Sequence, residues 1–145
     1  MTTRRFAALA VLGSAFLLLS PLQAQKSETY KARLTALPAD ARTRPSLAGI
    51  GTATATLTGS TLVVAGTFEG LLSPATVAQL HGAVAAGVRG PVIHDLTVAK
   101  ATSGSISGSV DLTPQQVESF HKGGLYIQIH SEKAPDGVIW GWFVK

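Results

Sequence analysis

The chain has 145 residues, a formal net charge of +4 and no cysteine, which suits one domain and excludes disulfides and thiolate metal sites. No Lys/Arg cluster outside the first few residues could neutralise a row of phosphates, which argues against nucleic acid as a partner. Burial of apolar side chains must therefore supply the stability of the fold.

The first segment differs from the rest. Arg4 and Arg5 precede an apolar run from Phe6 to Leu19, followed by Ser20, Pro21 and the small residue Ala24. This is the order of a cleavable export signal, and the run is shorter than the roughly 20 residues a spanning helix needs. The expectation is a signal over residues 1–24 and a mature domain over 25–145, periplasmic or secreted, with no stable membrane span. The Arg pair leaves general and twin-arginine export both open, and its removal lowers the net charge to +2.

In chain order, "YKARLTAL" (Tyr30 to Leu37) alternates and reads as a strand, and "PADARTRPS" reads as a surface loop. In "GTATATLTG", Thr52, Thr54, Thr56 and Thr58 share one face and Ala53, Ala55 and Leu57 the other, the pattern of a half-buried strand. Gly59-Ser60 then reads as a hairpin turn into a strand that buries Leu62, Val64 and Phe68. The next strand ends near His81, a glycine-rich loop follows, and "PVIHDLTV" resumes as a strand. "SGSISGSVDLT" alternates serines outward with Ile106, Val110 and Leu112 inward, and Gly108 on the inner face marks a close approach. Thr113, Pro114 and Gln116 form a T-x-x-Q capping box with proline at the first helical position, so a two-turn helix ends at Gly123. In the following strand Leu125, Ile127 and Ile129 oppose Tyr126, Gln128 and His130. "SEKAPDG" turns the chain, and "VIWGWFV" is the last strand. Many short strands and one helix point to a β-sandwich or a Greek-key barrel.

These pieces also carry a resemblance. The early strand, "LHGAVAAGVRGPV", "LTPQQVESF" and "GGLYIQIHSEKAPDG" follow one another as in CHRD (chordin-type) domains, over about Tyr30 to Val144. The resemblance implies an all-β fold, an antiparallel β-sandwich of immunoglobulin or superoxide dismutase type, and implies no known chemistry. The chain departs from the family pattern twice. Gln79 stands where the family often has the first histidine of an H-x-H-G motif. Val138 and Trp140 stand where a Glu and an Arg are usual.

Two function classes follow. The first is a non-catalytic binding module without a cofactor, contacting a protein or small ligand through Tyr126, Gln128, His130, Trp140 and Trp142, with a homo-oligomer through an exposed sheet edge or the tryptophan face as one form of partner. Trp140 and Trp142 share a face. Their bulk favours the core over the surface, with Gly108 leaving room for one ring. The second class is a copper- or zinc-binding protein using His81 and His130 with a third donor from His94, Asp95 or His121. Against it, a strand-end histidine such as His81 often donates to a loop carbonyl instead. Nucleophilic catalysis has no support: there is no Cys and no G-x-S-x-G elbow.

Overall fold

The computed structural model describes residues 24–145, so the expected export signal lies outside the described residues except for Ala24. Its strands are β1 (Ser27–Ala36), β2 (Ile50–Thr58), β3 (Thr61–Glu69), β4 (Ala75–Gly82), β5 (Val92–Val98), β6 (Gly104–Asp111), β7 (Leu125–Ser131) and β8 (Ile139–Trp142). One helix, α1 (Pro114–His121), lies between β6 and β7, and a short 3-10 turn, Arg44–Ser46, lies in the loop after β1.

The alternation read from the sequence sets the inside of the fold. Ala53, Ala55 and Leu57 of β2, Leu62, Val64 and Phe68 of β3, and Leu125, Ile127 and Ile129 of β7 are all buried. The hydroxyls of β1 and β2 stay on the wet side, where Ser27 pairs with Thr58 at 2.8 Å and Thr29 with Thr56 at 3.3 Å. Thr113 accepts from the Gln116 amide, and the Gln116 side chain accepts from the Thr113 amide, completing the capping box. The helix delivers Phe120 into the core, where its ring lies 4.2 Å from that of Tyr30. Gly123, at φ 74°, ends the helix in a left-handed conformation open to glycine without strain.

The expected open sandwich is not what the strands make. They close into an antiparallel barrel in the order β1-β2-β3-β6-β5-β4-β7-β8, with β8 returning to β1. Two strands make the closure because each serves two neighbours. Residues Ser27 to Leu34 of β1 pair with β2, while Thr35 and Ala36 pair with Trp140 and Ile139 of β8. Lys31 also exchanges backbone hydrogen bonds of 2.9 Å with Val144. On the opposite side, β5 pairs with β4 up to Leu96 and with β6 through Thr97 and Val98. Alternation of wet and oily residues is common to sandwiches and barrels, so it could not distinguish them. The connections β3 to β4 and β6 to β7 each cross over two intervening strands, which gives the barrel its Greek-key connectivity.

Closure draws backbones together at glycines. A Cβ on Gly141 would lie 2.2 Å from the Arg33 carbonyl oxygen, and one on Gly66 would lie 2.4 Å from that of Thr52. Gly108 does mark a close approach, but the atom filling the space is Cδ2 of Leu96, not an indole. Gly141→Ala is expected to destabilise the protein by about 2 kcal/mol through overpacking at the β1–β8 seam, read as a lower urea midpoint. Ser107→Ala, on the exposed side of β6, should shift the same curve by no more than about 0.5 kcal/mol.

Candidate functional site

The outer side of β4, β7 and β8 carries the chemistry-bearing residues. Register sets Gln79 opposite Gln128, His81 opposite Tyr126, and Val77 opposite His130 on the β4–β7 side. On the β7–β8 side, Tyr126 faces Trp142 and Gln128 faces Trp140. One continuous outer face thus holds His81, all five residues expected to form a binding surface, and Gln79.

Two loops fold over this face and consume most of its polar groups. The loop of residues 83–91 is tied down by Tyr126, whose hydroxyl accepts from the Gly90 amide and donates to the Gly90 carbonyl, both at 3.2 Å. His81 stacks on Tyr126, ring centroids 4.7 Å apart and planes 13° apart, and its Nδ1 lies 3.0 Å from the same carbonyl. Trp142 Nε1 donates to the Val88 carbonyl at 3.3 Å. Gly90 is required here, because a Cβ would lie 1.9 Å from the Gly82 oxygen. The second loop, residues 132–138, is held by Gln128 Nε2 donating to the Asp136 carbonyl at 2.9 Å and by His130 Nδ1 at 2.8 Å from the Pro135 carbonyl. Tyr126 and Gln128 are consequently buried, and they act as fasteners rather than as contact groups.

The tryptophans point outward, contrary to the favoured core reading. Ile139 and Phe143 fill the interior, whereas Trp140 and Trp142 are half-buried on the outer face. Closure explains the choice: the interior beside β8 is so narrow that position 141 is a glycine against the β1 backbone. The two indoles meet nearly edge to face at 4.8 Å, and each also packs on Tyr126. Arg89, from the first loop, places its guanidinium 4.5 Å above the Trp140 ring, a cation–π arrangement.

The four histidines are not brought together. His81 and His130 share the outer face, but four residues of strand separate their positions, about 13 Å at strand rise. His94 lies on the inner side of β5, two residues from the buried Leu96. His121 is engaged elsewhere, its Nε2 2.6 Å from the Glu28 carboxylate, and that bond holds Glu28 below the usual carboxylate range. Asp95 accepts from Gln79 Nε2 at 2.9 Å. Among the described residues, no three His, Cys, Asp or Glu side chains converge as a metal site requires.

The state of His81 follows from its partners. A carbonyl only accepts, so the proton sits on Nδ1, and the bare Nε2 is buried without a hydrogen-bond partner. Burial pushes its pKa below the ordinary imidazole value, opposed by the Gly90 bond and assisted by the charges of His130 and Arg89. The unfolded chain therefore takes this proton first. Stability from His81 is complete above the free-imidazole pKa of about 6.5 and declines as pH falls below it. The contribution of Glu28 is lost only at lower pH, below the ordinary carboxylate pKa. His81→Phe keeps a ring on Tyr126 and removes the titration. Its melting temperature is expected to fall less steeply than that of the wild type between pH 7.5 and 5.5.

Sequence reasoning missed a group at the edge of this face. Arg42, Arg89 and Lys133 line one depression of about 310 Å³ between the loops after β1, β4 and β7. They lie on three surface loops far apart in the chain, and no local pattern links them.

A family model described as the CHRD domain matches residues 30–142, from Tyr30 in β1 to Trp142 in β8. No curated protein matches the chain. No solved structure does either.

Proposed function

The chain belongs to the CHRD domain family, and from that premise we propose that it is an exported module that works by binding a protein or small ligand rather than by catalysis. The observation that carries this reading is the division of labour on the outer face of β4, β7 and β8. Its imidazoles, its phenol and its glutamine amide fasten two loops. At the seam between those loops remain two partly exposed indoles and the exposed Arg89. Aromatic rings beside an arginine are the side chains most enriched where proteins bind partners, because they offer large contact area at little cost in conformational entropy. Histidines committed to loop carbonyls suit a scaffold better than a general acid or base. The charged, apolar and small-residue order of residues 1–24 supports export. Among the described residues, no helix is long and apolar enough to cross a membrane.

The test uses the mature chain, residues 25–145, against a panel of immobilised polysaccharides and peptides. Saturable retention on at least one member is expected, together with at least about tenfold weaker retention of the Trp140→Ala/Trp142→Ala variant, as loss of central aromatic contacts entails. The variant should keep a cooperative melt, since both rings lie outside the barrel. Retention untouched by removal of both indoles, or turnover of a panel member, would contradict the proposal.

A further inference from the structure

The depression beside Arg89 has a composition that the loop-fastening role leaves unexplained. Three cations reach it from three separate segments: Arg42 after β1, Arg89 after β4 and Lys133 after β7. Among the described residues, none of their side chains takes part in an ion pair, and Arg42, Arg89 and Lys133 donate no side-chain hydrogen bond. One acid, Asp136, lines the same space, and its carboxylate is not within ion-pair distance of any of them. Three cations therefore share the depression with one carboxylate, and none of them is ion-paired to it.

Two of them stand on backbone that is tied down. Asp40 accepts the amides of Arg42 and Thr43 at 2.9 and 2.8 Å, which fixes the turn that presents Arg42. The same bonds, that of Thr43 foremost, hold the Asp40 carboxyl below its ordinary range, so the turn stays fixed near neutral pH. Arg89 has its guanidinium carbon 4.5 Å from the centre of the Trp140 ring, and its backbone neighbours Val88 and Gly90 are bonded to Trp142 and Tyr126. A planar guanidinium held in this way is pre-organised for the two parallel hydrogen bonds a carboxylate accepts. The remainder of the lining is of another kind. Leu37 and Leu47 supply an apolar side, and Ser46 supplies a hydroxyl, that of Thr43 being bonded to Asp40.

From this juxtaposition we propose that the depression between the loops after β1, β4 and β7 binds a carboxylated sugar, a uronate unit of an acidic polysaccharide. Arg42, Arg89 and Lys133 take the carboxylate, the leucines take the C–H face of the ring, and Ser46 bonds its hydroxyl rim. The volume, about 310 Å³, holds one such unit with the chain continuing outward. The inference rests on the binding-module reading and names its ligand class. Trp140 acts here as a positioning residue, through Arg89.

The probe is a tetragalacturonate, and its fully methyl-esterified form is the control with the same rings and no charge. Binding to the mature chain is read by calorimetry and by fluorescence of the two tryptophans, one of which lies under Arg89. The acidic form is expected to bind saturably and more weakly at higher salt, and the ester is expected not to bind. Arg42→Ala and Lys133→Ala, both at exposed positions, should each weaken binding about tenfold, as loss of a charge-assisted hydrogen bond entails. Asp136→Asn should strengthen it. Equal binding of the ester, indifference to both cation variants, or no binding of the acidic form overturns the proposal. Inorganic phosphate bound with the same variant dependence, in place of the sugar, also overturns it. Should Trp140→Ala/Trp142→Ala abolish retention on some other panel member while the cation variants leave it intact, this inference fails and the binding-module reading stands.

Discussion

Strand β1 keeps two partners at once, and the rest of the architecture depends on that. Its first eight residues follow β2, its last two turn to β8, and Lys31 bridges to Val144 beyond the end of β8. With β5 doing the same between β4 and β6, the eight described strands close on themselves. Closure removes the exposed ladder groups that make free edges prone to association. It also narrows the interior, so that glycines stand where backbones meet and the large rings of β8 must lie outside.

The outward tryptophans are thus a consequence of closure and the start of the site. Indoles displaced from the core land beside Tyr126 and His81, and together these rings make a platform on which the loop of residues 83–91 is bonded at three points. The platform fixes the path of Arg89. A side chain that would otherwise move freely on a glycine-rich loop is held over an aromatic face, at the rim of a depression that two other loops share. Barrel closure, aromatic packing and surface charge form one chain of causes.

Much of the fold was legible in the sequence, because period-two alternation reports which residues are buried. Ala53, Ala55 and Leu57 against four threonines could be assigned without coordinates, and so could Leu125, Ile127 and Ile129. The T-x-x-Q cap was legible because its bonds are local. Closure was not, since it depends on a strand dividing its hydrogen bonds between neighbours distant in sequence. The direction of Trp140 and Trp142 was misread for the same reason: bulk favours burial only where the interior has room. His81 was readable as a group that holds the glycine loop, and that is the bond it makes. Arg42, Arg89 and Lys133 were invisible as a set, because only tertiary structure joins their loops.

The most direct test of this account is amide hydrogen exchange at the β1–β8 seam. Lys31 and Leu37 donate to the carbonyls of Val144 and Val138 at 2.9 and 3.1 Å, and neither bond would exist in a sheet opened at that seam. The account predicts that both amides exchange only through global opening, with the same protection as the core amides of β7. Exchange at Lys31 and Leu37 as fast as in the exposed loop at Gly87 would mean that the seam is open, and would contradict the closed barrel from which the site follows.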